Sequence, residues 1–280
     1  MRKTGLTSER GVQRSALAVL LGGLVLFLFP ILWMVSSSLK TEGEAQDPLR
    51  LLPASPQFGN YPTALGQMHF SDALANTVVV TVSRVLGLVV SCSLVGFGFA
   101  KFRFAGRNAL FLLMLSTMML PPQVTLIPVF ILFRWLGLVD TLGPLILPAW
   151  VGAPFFVFMF RQFFSQVPDE VLEAARVDGA SAWRIYWQMM LPMSWPVVAV
   201  VTVYAFIGAW NDYLMPLVYL NSPEKHTLAL ALASFTGRYG STQIQLLMAA
   251  SVVTMLPCVV LFFAAQRYFT AREMSAALKG

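Results

Sequence analysis

The chain has 280 residues, of which 57% are hydrophobic and 11% charged, against about 25% charged in ordinary soluble domains. Its 19 basic and 13 acidic residues cannot cover a soluble domain of this size, and its 22 Phe, 7 Trp and 7 Tyr exclude disorder. An integral membrane protein remains, and the net charge of +6 reflects basic residues gathered at the ends of apolar runs, a pattern of orientation rather than nucleic-acid binding.

A transmembrane helix needs roughly 20 apolar residues. Residues 16–35 supply the first, free of charge between Arg14 and Lys40. Arg2, Lys3, Arg10 and Arg14 precede it as in a signal peptide. The run is long for that, and no small-residue cleavage site follows, so an uncleaved anchor helix is expected. Residues 36–72 contain Pro48, Pro53, Pro56 and Pro62 and predict an irregular loop. The second span is read over 73–100, interrupted by Arg84. A basic turn, Lys101–Arg107, leads to a third span over 108–132. The fourth, 141–160, is split by Pro144, Pro148 and Pro154. A polar segment of about 165–191 separates it from the fifth span, 193–220, which carries Asp212. The sixth is read over 245–268. These runs are too long and too uniformly apolar for membrane strands, which need about 10 alternating residues. The expectation is one all-α transmembrane domain, 1–280, with six spans.

Lysines and arginines set the orientation. With the N-terminus inside, the cytoplasmic segments hold Arg2, Lys3, Arg10, Arg14, Lys101, Arg103, Arg107, Arg161, Arg176, Arg184, Arg267, Arg272 and Lys279. The other side holds Lys40, Arg50, Arg134, Lys225 and Arg238. Both termini are therefore expected to be cytoplasmic. Cys92 and Cys258 fit neither a metal spacing nor a disulfide framework and read as small buried hydrophobes.

The 165–191 segment has internal order. Pro168, Asp169 and Glu170 suit a helix start. The helix continues through Val171–Val177, and Gly179 is placed to end it in a left-handed conformation. Ser181 can cap a second helix over Ala182–Met190. There Trp183 and Trp187 share one face, and Ile185 and Met189 share one. Two readings stand open: an amphipathic hairpin lying on the membrane, or a docking element whose Ala174, Ala175 and Gly179 admit close approach by another protein.

The spacing Glu173-Ala174-Ala175, three residues, Gly179, nine residues, Met189, one residue, Leu191-Pro192 resembles the EAA loop of ABC-importer permeases, with Met189 in place of isoleucine. Further blocks are similar to the carbohydrate-uptake branch of that family. They are Ser38-Leu39-Lys40, Pro56-Gln57-Phe58-Gly59-Asn60-Tyr61, Asn76-Thr77, Phe102-Arg103-Phe104-Ala105-Gly106-Arg107, Met119-Leu120-Pro121-Pro122-Gln123-Val124, Gly137-Leu138-Val139-Asp140-Thr141, Trp210-Asn211-Asp212-Tyr213 and Lys279-Gly280. The tail Ser275-Ala276-Ala277-Leu278 departs from the family's glycine-rich run.

The resemblance implies the type I ABC-importer permease fold in a bacterial cytoplasmic (inner) membrane. It implies one of two permeases, the maltose-type second one, above two copies of an ABC ATPase and below an extracytoplasmic sugar-binding protein. The EAA loop would couple permease to ATPase, through Glu173, Ala174, Ala175, Asp178, Gly179 and Ala180. The chain lacks a G-x-x-x-x-G-K-[ST] loop, so the energy is expected from a partner. No catalytic residue, cofactor or metal is expected.

Arg84 and Asp212 are the formal charges inside the spans, where charge is costly and marks function or pairing. At 1.5 Å per residue they lie roughly 16 and roughly 12 Å from the outer ends of their spans. Three readings are open: the two pair, Asp212 lines the sugar path, or Arg84 meets the other permease. Asn211 and Tyr213 could hydrogen-bond a sugar on which Trp210 stacks, or serve as polar glue between helices. The row Ser83, Gly87, Ser91 reads as helix packing, and Gly96-Phe97-Gly98 lacks the context of a dinucleotide loop. A membrane enzyme is disfavoured by the placement of His69 and His226 in loops. An ion-coupled transporter is disfavoured by the scarcity of charge in the spans.

Overall fold

A computed structural model of the protein describes residues 5–236 and 243–277. Arg2, Lys3, Arg238, Lys279 and Gly280, used above for orientation or the tail, lie outside the described residues. The described chain is helical and divides into two compact units, 1–68 with 232–256, and 69–231 with 257–280.

The first unit begins with α1 (Gly5–Ser38), which carries Pro30 internally. Its apolar side chains, Leu24, Phe27 and Leu32 among them, are exposed. Water would not tolerate such a surface, whereas lipid does. α2 (Glu42–Ala45) is a single turn held by a capping box between Thr41 and Glu44. α3 (Asn60–Gln67) carries Pro62 in its first turn, where a missing N–H costs nothing. Between them the proline-rich stretch folds without a helix, as expected.

Two sequence blocks meet in this unit. Asn60 Nδ2 donates to the carbonyls of Ser38 and Lys40, both at 2.8 Å. Gln57 N donates to Leu39 O at 2.8 Å, and the Ser38 and Tyr61 hydroxyls are 2.8 Å apart. Lys40 is fully buried. Its ammonium donates to the Arg50 carbonyl and lies 5.7 Å from the Trp33 ring centroid, so the charge is met by a dipole and an aromatic face.

The second unit is built on α4 (Phe70–Lys101), which packs on three later helices. α5 (Arg107–Ser116) and α6 (Pro122–Trp135) form a pair bent by 101°. The expected third span, 108–132, thus carries a sharp bend. Pro121 and Pro122 lack N–H groups and bias the residues before them away from helix, so the chain turns at Leu120. α7 (Gly143–Val151) and α8 (Pro154–Ser165) extend the expected 141–160 segment to Ser165, with a break at Gly152 and Ala153. α9 (Asp169–Val177) and α10 (Ala182–Ile185) are the hairpin. A π turn, Tyr186–Met190, and α11 (Leu191–Met193) lead out of it. Pro192 has no N–H for a regular turn, which explains the wider one. A 75° bend opens α12 (Trp195–Trp210), and α13 (Leu214–Tyr219) follows a second break. The expected 193–220 run is therefore also interrupted, at Asn211–Tyr213. α14 (Leu228–Ala233) and α15 (Ile244–Ala277) complete the described helices, the last covering the expected 245–268. Val19–Ser38, Phe70–Lys101 and Gly143–Ser165 are each long and apolar enough to cross a membrane, and the two bent pairs qualify if each is one span.

Small residues let α4 approach its neighbours. A Cβ on Gly87 would lie 2.9 Å from the Trp150 ring. One on Gly96 would lie 2.7 Å from Phe160 Cβ and 3.0 Å from the backbone nitrogen of Arg161, so α8 itself would have to move. The break between α7 and α8 is serviced by the same face. Ser91 Oγ donates to Ala149 O at 3.0 Å, and Ala153 N donates to Cys92 Sγ at 3.2 Å. Backbone groups freed inside an apolar region need such partners. Cys92, expected to be a mere hydrophobe, is buried and hydrogen-bonded as well.

Candidate functional site

The hairpin shares one core with the spans. Leu172, Ile185, Tyr186 and Met190 belong to the same buried cluster as Leu88, Cys92 and Phe97 of α4 and Val157, Phe160 and Phe164 of α8. α9 ends in a Schellman motif: Gly179 N donates to Arg176 O at 3.0 Å and Ala180 N to Ala175 O at 2.9 Å, with Gly179 at φ +81°. A side chain at that φ is strained whatever the space around it. Ser181 then caps α10 by accepting from Arg184 N. Ala175 and Ala180 are half-buried against the core, whereas Glu173, Ala174, Asp178 and Gly179 are exposed. Among the site residues expected here, the inner pair anchors the hairpin and the outer four form its free face.

Two polar ties fix the hairpin to α4. Lys101 Nζ donates to Val167 O at 2.5 Å and to Asp169 Oδ1 at 2.7 Å. Hydrogen bonding and the charge of Lys101 hold the Asp169 carboxyl below its ordinary range. At the other limb, Tyr186 Oη lies 2.7 Å from Ser93 Oγ in a buried contact, with its ring 5.6 Å from that of Phe97. Trp183 and Trp187 do share a face, with ring centroids 5.7 Å apart. Neither tie was read from sequence. Lys101 counted there only as an orienting charge, and Tyr186 as one aromatic among several.

A second constellation lies deeper. Arg84 Nη1 and Asp212 Oδ2 form an ion pair at 2.8 Å, with side chains 26% and 15% exposed. Asp212 sits in the break between α12 and α13, and its Oδ1 accepts from Met215 N at 3.2 Å. Both charges line a cavity of about 450 Å³ between α4, α6, α7 and α13. Thr125, Phe133, Phe156, Tyr219 and four prolines complete much of its wall. Asn211 and Tyr213 are not part of that lining. Asn211 turns back to Ile207 O at 3.0 Å, Tyr213 is exposed, and Trp210 is buried in a stack on Phe206.

The far ends of these helices are latched by Asp140, which adopts a left-handed φ of +59°. Its carboxylate accepts from Asn221 N at 2.9 Å, Ser222 N at 3.0 Å, Ser222 Oγ at 2.6 Å and Lys225 Nζ at 3.0 Å. Asn76 Nδ2 donates to the carbonyls of Glu224 and His226, and Thr77 Oγ1 accepts from Leu228 N. These donors, led by Ser222, hold the Asp140 carboxyl far below the usual carboxylate range. A lowered folded pKa contributes stability that is complete above the unfolded value, about 3.9, and fades as pH falls toward the folded one. Asp140→Asn is therefore expected to lower the melting temperature of the detergent-solubilised protein by about 2–4 °C. In scanning fluorimetry the gap to the parent should stay constant from pH 7 to 5 and narrow below pH 4. A gap that widens on acidification would refute this assignment.

Residues 92–274 match the family described as "Binding-protein-dependent transport system inner membrane component". The chain is 38% identical over 205 residues to the "Arabinooligosaccharides transport system permease protein AraQ" of Halalkalibacterium halodurans, covering 73% of each. It is 33% identical to the "sn-glycerol-3-phosphate transport system permease protein UgpE" of Yersinia pestis, over 94% of this chain and 96% of that one. Its fold matches a chain of a solved bacterial ABC transporter "involved in the import of the acidic polysaccharide alginate", with a TM-score of 0.82 at 23% identity, over 96% of this chain and 99% of that one.

Proposed function

The chain belongs to the family of binding-protein-dependent transport system inner membrane components, and on that premise we propose that it forms half of the translocation pathway of an ATP-driven sugar importer. It is a multi-pass membrane protein and the permease subunit of the importer. In the proposed assembly a second permease completes the pathway, two copies of an ABC ATPase sit beneath, and an extracytoplasmic binding protein delivers the sugar. In this reading the apolar runs form six spans, the lysines and arginines put both termini on the cytoplasmic side, and family membership implies a bacterial inner membrane. The relatives are named for cargoes that differ in charge, so membership leaves the charge of this cargo open.

The observation that carries the reading is the hairpin. Its inner face belongs to the core of the spans, and its outer face presents Glu173, Ala174, Asp178 and Gly179. Force applied to that face reaches α4 and α8 through packed rings and two polar ties rather than through a loop. This is what coupling to a separate motor requires. Reconstitution of the complete complex in liposomes tests it. ATP-dependent sugar uptake that needs the binding protein is the expected result. ATP hydrolysis by the assembled complex with no uptake of any sugar would overturn it.

A further inference from the structure

The cavity beside Arg84 and Asp212 has the chemistry of a binding site, and we propose that it is a subsite of this subunit for an uncharged sugar ring. The inference rests on the importer reading and sharpens it, because it assigns the cargo's charge.

Position comes first. The two charges lie within the spans, where an ion pair kept merely to hold helices together is replaceable by apolar packing at little cost. This pair is not sealed off. Both side chains keep part of their surface, and that surface lines the 450 Å³ cavity. The volume falls within the usual range for small-ligand sites, about 300–1,000 Å³.

Valence follows. One guanidinium nitrogen, Nη1, faces Asp212 Oδ2, and Asp212 Oδ1 takes the Met215 N–H. The remaining guanidinium N–H groups are donors, and each carboxylate oxygen retains acceptor capacity. Thr125 Oγ1 donates to Pro122 O at 3.0 Å, which leaves its lone pairs to accept. Adjacent donors and acceptors of this kind match a row of hydroxyls, each of which both donates and accepts. The rest of the wall is proline, aliphatic and aromatic surface, which suits the C–H faces of a ring.

Charge decides the class. The pair is neutral as a unit. A uronate or phosphate would gain Arg84 but also meet the Asp212 carboxylate paired with it, and an amine would meet the reverse. An uncharged polyhydroxylated ring satisfies both partners without displacing either.

Occupancy is measurable without involving the selectivity of the binding protein. Thr125→Cys is introduced into the assembled complex, and its alkylation by N-ethylmaleimide is timed in detergent. Arabinotriose, maltotriose and diacetylchitobiose are each present at saturating concentration, with trigalacturonate as the acidic counterpart. At least one neutral oligosaccharide is expected to slow labelling at least threefold, and trigalacturonate to leave it unchanged. Adding Asp212→Asn, which leaves Arg84 unbalanced, is expected to invert that preference. Should Thr125→Cys prevent assembly, Val129→Cys, which lines the same cavity one turn on, takes its place. Uptake of sugar by the same complex with no protection by any of them overturns the subsite and leaves the importer reading standing. Protection by trigalacturonate equal to that by the neutral sugars overturns the charge assignment. Absence of both uptake and protection overturns the importer reading and the subsite together.

Discussion

Gly179→Val is expected to abolish sugar import, by at least tenfold, while the protein still reaches the membrane and assembles. The physical reason is local. Gly179 stands at φ +81° and closes the two hydrogen bonds that end α9. A β-branched side chain is a genuine outlier there, so the Schellman motif must open and α9 must leave its angle. No atom lies within 4 Å of the position of an added Cβ, so the damage is conformational and not a clash with the core. The buried cluster beneath, with Leu172, Ile185 and Tyr186, retains its side chains. Glu173→Lys makes the complementary change, reversing a charge on the exposed face without touching the backbone. It should uncouple while leaving thermal stability near that of the parent. Parallel assays of membrane content, ATP hydrolysis and uptake separate these effects. Normal import by both variants would remove the coupling role from this face.

Reversal of either charge in the intramembrane pair should be as severe, through a different route. Arg84→Asp or Asp212→Arg replaces the 2.8 Å attractive contact with two like charges facing one another inside the spans. Reversal leaves neither charge a counter-charge within the spans and adds repulsion between them. Each single variant is expected to lose most of its assembled complex. The double reversal restores attraction and should recover assembly to within about twofold, measured as complex retained on a size-exclusion column. It should not recover uptake, because the donors and acceptors of the cavity wall have exchanged places. Failure of the double variant to assemble would show that the pair is held by more than its mutual charge. Full recovery of uptake would reduce it to a tie between helices.

Much of the architecture was legible because lipid simplifies the code. Long apolar runs must be helices there, and Pro168, Gly179 and Ser181 announced the hairpin through local chemistry that the structure retains. The breaks were less legible. Pro121 and Pro122 sat in plain view within a run whose mean apolarity argued for continuity, and composition has no term for a 101° turn. Likewise nothing in Trp210–Tyr213 said that the helix would stop at Asn211. Nor did it say that Asp212, which accepts locally from Met215 N in that break, would meet Arg84 from 128 positions away. Asp140 shows the same limit. Its partners, Asn221, Ser222 and Lys225, lie more than 80 residues away, and only the fold brings them to it.

The interrupted helix between Val151 and Pro154 has a practical corollary for spectroscopy. Probes attached through engineered thiols require a background without native cysteines, and alanine is the usual replacement. At Cys258 that choice removes a half-buried side chain for which burial alone raises no objection. At position 92 it would also strip the acceptor from the Ala153 amide. Serine, with its smaller but acceptor-bearing hydroxyl, is the better substitute there. Distances measured in a Cys92→Ala background would describe a transporter whose break between α7 and α8 had been loosened by the labelling strategy itself.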